Sequence, residues 1–202
     1  MSLKDDLLRV DSPTPEFRLL LPPGWKQYLP DELTEQELLR EAKVRLRDAH
    51  RPDLAAELIG MTRRAFEQMR RSESLAFYMG LPPDENNVLP LSITVSKRIG
   101  PNGGTLDGQV ADLIRTKGAL PLNDDQVMIR WETQQTHTVG RDKITTQTIS
   151  YLTPIPGTAR REALLFVGVV PHPIQLGRHD EVIESYIYAC DVIMSTFAWG
   201  PK

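Results

Sequence analysis

The sequence has a single cysteine, Cys190, among its 202 residues. An intramolecular disulfide is therefore impossible, and a zinc site built from several thiolates is excluded. This usage of cysteine fits a reducing compartment and predicts a cytoplasmic location. The histidines show none of the HExxH or CxxC spacings of metal sites, so we expect neither a bound metal nor a cofactor. The four histidines are His50, His137, His172 and His179.

Long hydrophobic runs are also absent from the sequence. The longest apolar stretch, Ala163–Val170, is much shorter than the roughly 18 residues needed to cross a bilayer. Lys4, Asp5 and Arg9 interrupt the leucines of the first ten residues, which argues against a secretory signal peptide. These features predict a chain without a membrane segment.

The charge is nearly balanced, with 24 basic and 27 acidic residues and a formal net charge of -3. Such a balance provides no large positive field for binding nucleic acid. The 40% of hydrophobic and 25% of charged residues are typical of globular proteins. We therefore expect one domain over residues 1–202, whose residues 1–15 form an irregular N-terminal arm in which Pro13 and Pro15 restrict the backbone.

The first half of the sequence predicts a hairpin, two long helices and two strands. Apolar residues alternate from Phe17 to Leu21 before a turn at Pro22-Pro23-Gly24, and Trp25 begins a short return strand. Thr34 and Glu37 have the spacing of a capping box, and Pro52 lies between two amphipathic stretches. The following strands are predicted around 75–79 and 89–95 from their alternating apolar residues.

The second half predicts a short helix, three strands and a final helix. Thr105 and Gly118 fit the start and stop of the short helix, and Asp180 fits the N-cap of the last one. The strand signals cover 127–138, 143–152 and 163–170, with Gly140-Arg141-Asp142 as a turn and the third strand central and buried on both faces. The core is expected to bring together these residues: Leu91, Ile93, Val95, Leu165, Val167, Ile193 and Phe197.

The element order predicts an α+β fold, with a mainly antiparallel sheet of about six strands packed by helices. The opening segment FRLLLPPGW, Phe17 to Trp25, and the order of elements resemble the PsbP-like family. That family includes photosystem II extrinsic subunits, a nuclear import factor that binds the GTPase Ran, and actinobacterial lipoproteins of the LpqN type. The resemblance implies a scaffold whose known members mostly bind proteins, and it carries no catalytic motif onto this chain. The long arginine-rich segment from Glu35 to Arg71 and the lack of a lipobox cysteine depart from the family pattern.

The long helical segment is the predicted partner-binding surface, through Arg63, Arg64, Arg70 and Arg71. Guanidinium groups suit protein interfaces because they are planar and donate several hydrogen bonds. The alternative is an ordinary solvated helix face, because acidic residues such as Glu67 alternate with the arginines at the i,i+4 spacing of helix ion pairs.

Two loops contain the residues that could bind a small ligand. His172, Arg178 and His179 flank the start of the last helix, where backbone amides can hold an anion, although helix capping alone explains Asp180. The glycine-rich segment 100–105 joins a strand to a helix but lacks the lysine of a P-loop, so we interpret it as a turn rather than a nucleotide site.

These observations favour a non-enzymatic binding or accessory module that acts through a protein partner or self-association, with no nucleic acid and no membrane as partners and no catalytic residue. The polar stretches Thr133–Thr136 and Thr145–Gln147 support this view, since part of this hairpin should project into solvent or meet another subunit. The alternative is a small-ligand-binding domain or an enzyme that uses the loop around His172–Asp180. That alternative requires a concave pocket with several ionisable groups that shift one another's pKa values.

Overall fold

The computed structural model describes residues 14–48, 55–80, 91–124, 127–139 and 142–200. Helices and strands alternate in blocks along this part of the chain. The helices are α1 (Glu32–Asp48), α2 (Ala55–Arg71), α3 (Asp107–Lys117) and α4 (Glu181–Ser195). The strands are β1 (Phe17–Arg18), β2 (Trp25–Tyr28), β3 (Ser74–Gly80), β4 (Ser92–Ile99), β5 (Leu120–Pro121), β6 (Ile129–Val139), β7 (Asp142–Pro154), β8 (Glu162–Pro173) and β9 (Ala198–Trp199).

Seven of these strands form one antiparallel sheet in the order β2-β3-β4-β8-β7-β6-β5. The predicted α+β class with a mainly antiparallel sheet is confirmed. The short strand β5, which pairs with only two residues of β6, adds one strand to the expected six. The β6–β7 hairpin is also confirmed, because Val139 pairs with Asp142 across the turn, whose residues 140–141 lie outside the described part.

The predicted opening hairpin is wrong. β1 pairs with β9 at the other end of the described chain, with Phe17 opposite Trp199, whereas β2 pairs with β3. Aromatic contacts explain the choice of partner, because the Phe17 ring packs edge-on against Phe166 at 5.5 Å and against Trp199 at 6.3 Å. Alternation in the sequence indicated a strand but contained no information about its distant partner.

The main core lies between α4 and one face of the sheet. The fully buried residues Ile183, Cys190 and Met194 of α4 pack into the same cluster as Tyr151 and Phe166 of the central strands. α4 begins as predicted at Asp180, whose carboxylate accepts a hydrogen bond of 3.0 Å from the Val182 amide. α4 therefore has a fixed start and an apolar face that covers the sheet.

The sheet carries a glycine where α4 approaches it most closely. A Cβ atom on Gly168 would lie 2.5 Å from the Cys190 Sγ atom, and Cys190 is itself fully buried. We expect Gly168→Ala to lower the free energy of unfolding by about 1–3 kcal/mol through overpacking. Adding Cys190→Ala should remove the clash, so the double variant should lose less stability than the two single losses added together. Denaturant unfolding of the four proteins measures this coupling, and strict additivity would contradict the contact.

The predicted core is confirmed for Leu91, Ile93, Val95 and Ile193 but wrong for two residues of β8. Leu91, Ile93 and Ile193 are buried in the main cluster, and Phe197 is half-buried against it. Leu165 and Val167 alternate with the buried Leu164 and Phe166, so they face the opposite side of the sheet and are only partly buried. β8 is central, as predicted, but just one of its faces is fully covered.

That second face is covered at its two ends by different helices. At one end, Leu106 and the half-buried residues Val110 and Leu113 at α3 pack against Leu152 and Leu165. At the other end, Phe66 of α2 lies edge-on at 5.6 Å to Phe77, which stacks on Tyr28. The sheet thus carries α4 on one face and two separate helical units on the other.

Two predicted helix starts are wrong, while one predicted stop is confirmed. α1 begins at Glu32, because the Asp31 carboxylate accepts a 2.8 Å hydrogen bond from the Thr34 amide, which places the cap before Thr34. α3 has Leu106 rather than Thr105 at its N-cap. Gly118 ends α3 in the left-handed region, at a φ of 63°, as expected for a glycine stop. The predicted junction at Pro52 lies outside the described residues.

Candidate functional site

A groove on the helical pair α1–α2 is the first candidate site. It encloses about 450 Å³, and its described lining combines four basic side chains with an apolar floor and no carboxylate. Leu39 of the floor is buried and Val44 is 42% exposed. The lining residues are Gln36, Leu39, Arg40, Lys43, Val44, Arg47 and Arg63. The groove therefore offers positive charge and an exposed apolar contact at one place.

The four arginines predicted to bind a partner lie on α2, and all four residues are exposed. Arg63 lines the groove. Arg70 is tied to the scaffold, because its Nη1 donates a 2.8 Å hydrogen bond to Glu35 of α1 and its guanidinium lies 6.0 Å from the centre of the Phe66 ring. Partner binding by these residues remains a prediction. In the structure, Arg63 belongs to the groove and Arg70 joins the two helices.

The predicted ligand residues of the His172–Asp180 loop point in different directions. His172 is 4% exposed, and its Nδ1 lies 3.0 Å from the Pro173 carbonyl oxygen. A carbonyl oxygen can only accept, so Nδ1 carries the hydrogen of this contact. The side chain of His179 is 89% exposed, and its Nδ1 lies 3.2 Å from Glu184, which also lies 3.7 Å from Arg178. Glu184 thus joins Arg178 and His179, while His172 belongs to the buried side of β8.

A separate cavity of about 430 Å³ lies beside His172. Its lining mixes apolar and polar side chains from the ends of β7 and β8 and from the following turn. The lining residues are Lys143, Ile144, Pro171, His172, Pro173 and Gln175. Arg178 and His179 do not line it, so the predicted ligand residues are divided between this cavity and the Glu184 contact.

An ion cluster that the sequence analysis did not identify lies between β6, α4 and the loop before α4. Arg178 donates two hydrogen bonds to the Glu132 carboxylate, at 2.6 and 2.9 Å. Arg130 bridges Glu132, at 2.6 Å, and Asp191 of α4, at 3.0 Å. The Tyr151 hydroxyl donates to the same Asp191 oxygen at 2.5 Å. The cluster links the edge of the sheet to the helix that covers it.

The electrostatics of the cluster favour the charged form of Glu132. Burial opposes ionisation of Glu132, but hydrogen bonds from Arg178 and Arg130 and their positive charges outweigh it and hold the Glu132 pKa below its usual 4.5. Hydrogen bonding to Glu132 raises the pKa of Arg178. Burial, with the nearby Cys190 and Asp191, raises the pKa of Tyr151. Two carboxylates thus face two guanidiniums, and the phenol stays protonated.

The cluster borders a cavity of about 410 Å³, yet its groups are suited to structure rather than to reaction. Arg130 and Arg178 already bind the carboxylates, and the Gln147 amide nitrogen donates a further 2.7 Å hydrogen bond to Glu132. Burial raises the pKa of the Cys190 thiol to about 12, so at neutral pH this cysteine is not a thiolate nucleophile. The sequence signal for the cluster was the alternation of Arg130 and Glu132 on one face of β6, with Asp191 as a charge on an otherwise apolar helix face.

The glycine-rich segment 100–105 forms a tight turn. Gly100 donates a hydrogen bond of 2.7 Å to the Arg161 carbonyl oxygen, and Gly104 donates to Pro101 at 3.0 Å. The nearby Lys97 pairs with Glu162 at 2.8 Å. Within the part of the chain that the structure describes, no three histidine, cysteine, aspartate or glutamate side chains form a metal-binding group. No described helix is long and apolar enough to cross a membrane.

No protein-family profile and no curated protein matches the chain. The solved structures that are similar to it include the following three. A protein of Bacteroides thetaiotaomicron has 10% sequence identity to this chain and a TM-score of 0.44. The match covers 92% of this chain but only 46% of that protein. LpqN, involved in cell envelope biogenesis of Mycobacterium tuberculosis, shares 13% identity and a TM-score of 0.44, with coverage of 94% and 86%. A point mutant of Mog1 shares 12% identity and a TM-score of 0.38, with coverage of 61% and 78%. With identities this low, the function of this chain has to be inferred from its own geometry.

Proposed function

We propose that this protein is a non-enzymatic binding module whose α1–α2 groove holds an acidic, partly apolar segment of a partner protein. The observation that carries the proposal is the combination of four basic side chains with an apolar floor in one concave surface. A reducing compartment such as the cytoplasm suits a chain with one cysteine.

Charge determines the class of partner. Arg40, Lys43 and Arg63 line the groove, and carboxylates of a partner would form charge-assisted hydrogen bonds with them. Such contacts speed association and select against basic partners. The overall charge of -3 provides no wider positive surface for a nucleic acid backbone.

The apolar residues of the groove determine which other side chains the partner segment needs besides its carboxylates. Val44 is the exposed apolar side chain of the groove, at 42% of its surface, and Leu39 beside it in the lining is buried. An apolar side chain of the partner would cover Val44 and remove it from water, which stabilises a complex by roughly 25 cal/mol for each Å² of apolar surface buried. The ligand is therefore a segment that combines acidic and apolar residues.

Site-specific cross-linking identifies the partner segment even when its sequence is unknown. A photoreactive residue in place of Lys43, in the groove, should cross-link a segment rich in acidic and apolar residues. The matched control carries the same residue in place of Gln109, an exposed position on α3. Equal cross-linking from both positions, or cross-links to basic segments or nucleic acid, would refute the proposal.

Charge-reversed variants then test the role of the basic side chains. The ligand is a synthetic peptide with the sequence of the cross-linked segment, and its affinity for each variant is measured. We expect the double variant Arg40→Glu, Arg63→Glu to bind the peptide with an affinity about 100-fold lower, since each reversed charge replaces an ion pair with repulsion. The control is Arg98→Glu, an exposed arginine on β4, which should leave the Kd within about twofold. Arg70 is left unchanged because it binds Glu35. Calorimetric titration at low and high salt measures the effect, and an unchanged Kd in the double variant would contradict the proposed groove.

A further inference from the structure

Strand β6 has a long side without a neighbour in the described part of the chain. β5 pairs with only Ile129 and Arg130, so the backbone from Trp131 to Val139 has β7 on one side and no strand of the described residues on the other. Side chains on both faces are open there, because every residue from Gln134 to Thr138 is exposed. Unpaired amides and carbonyls along such an edge are a template for another strand.

The free edge of β6 lacks the devices that usually prevent pairing. It contains no proline and no lysine, and its register with β7 runs without a bulge from Ile129–Leu152 to Val139–Asp142. Its single formal charge, Glu132, is neutralised by Arg130 and Arg178. The opposite edge of the same sheet differs, because β2 has only four residues and carries the exposed Lys26. The two edges therefore differ in both length and protection.

We infer that β6 pairs antiparallel with β6 of a second copy of this chain, in a dimer centred on Gln135. Gln135 is the midpoint of the free edge from Trp131 to Val139, so centring the twofold axis there pairs the whole edge. An axis perpendicular to the sheet keeps the same face on the same side in both copies, which joins the two sheets into one. Closed twofold pairing of this kind is the commonest form of homo-oligomer.

The side chains allow this register. Thr133 would lie opposite His137, and Glu132 opposite Thr138, so no like charges meet across the axis. At the axis, Gln135 would face its own copy. The contact is mainly backbone hydrogen bonding and is smaller than a standard interface, so we expect a reversible dimer with a Kd on the order of 10 μM.

Charge pairs at Gln135 test both the edge and the register. Analytical ultracentrifugation of the full chain should show a concentration-dependent dimer. Gln135→Lys and Gln135→Glu should each be monomeric, because they place like charges against each other at the axis, while an equimolar mixture should form a heterodimer. Gln27→Lys makes the same exchange at an exposed position on the other edge, β2, and should leave the dimer intact.

A disulfide gives a second, covalent measurement. Gln135→Cys should form a cross-linked dimer under mild oxidation, because residues opposite each other in neighbouring strands lie within disulfide distance. Gln27→Cys should stay monomeric, and the native Cys190 is buried and does not compete. The inference is overturned by a wild-type chain that stays monomeric well above the expected Kd, by a dimer that survives Gln135→Lys, or by a mixture that fails to form the heterodimer. Monomers that capture an extended peptide along β6 would count against it in the same way.

Discussion

Replacing Phe166 with alanine should lower the free energy of unfolding by about 3–5 kcal/mol, the largest loss that we expect from a single change in this protein. Phe166 lies on the central strand β8 and is fully buried under α4. Its ring packs edge-on against Phe17 at 5.5 Å and against Phe197 at 5.6 Å. The substitution leaves a cavity where three parts of the chain meet, so the loss exceeds the transfer energy of the ring.

Leu165, the preceding residue, provides the matched control. It lies on the other face of β8 and is only half-buried, so Leu165→Ala should cost distinctly less than Phe166→Ala. Urea unfolding followed by fluorescence and circular dichroism gives both values. Similar losses in the two variants would show that the two faces of β8 are equally covered, contrary to the structure.

The second large effect is expected at the ion cluster. Glu132→Gln should lower the free energy of unfolding at neutral pH by about 2–3 kcal/mol, since Arg178 and Arg130 lose a partner that binds them by charge-assisted hydrogen bonds. The control is Asp112→Asn, which removes the same charge from an exposed pair with Arg115 and should cost about 1 kcal/mol or less.

The cluster also gives the stability a defined pH dependence. Folding lowers the Glu132 pKa below its usual 4.5, so the unfolded chain binds its proton at a higher pH than the folded chain. The contribution of Glu132 is therefore complete above about its usual pKa and is lost as the pH falls through the lowered folded value. The difference between wild type and Glu132→Gln should shrink at pH values below 4.5, and a difference that stays constant down to low pH would contradict the ion pairing.

Local features of the fold could be predicted from the sequence. Asp180 and Gly118 were identified correctly because capping and left-handed stops depend on one residue and the backbone next to it. The apolar stripe of α4 and the alternation of β4 were sufficient to predict buried faces. Local signals also have a limit at the start of α1, where Thr34 had the sequence pattern of a cap. The cap is Asp31 instead, because its carboxylate accepts a hydrogen bond from the Thr34 amide.

Long-range contacts could not be predicted in the same way. β1 pairs with β9 because of aromatic packing between distant parts of the chain. Of the candidate sites, the basic groove was predicted in part, because Arg63 was selected from a helical segment rich in arginine and does line the groove. Arg178 was also chosen, but its partner Glu132 lies 46 residues away in the sequence, and no spacing rule connects the two. Ion pairs across a fold depend on how strands align, which single-sequence periodicity does not contain.

The place of β8 in the sheet imposes an order on the folding of a nascent chain. β8 lies between β4 and β7, and it is the last of the seven main strands to be synthesised. Until the ribosome has released β8, the β2–β3–β4 half and the β5–β6–β7 half cannot join, and the inner edges of β4 and β7 both stay open. At the usual elongation rate of about 5–20 residues per second, β4 waits several seconds for its partner. Translation speed through the segment between β4 and β8 therefore sets how long these half-sheets are exposed to mispairing.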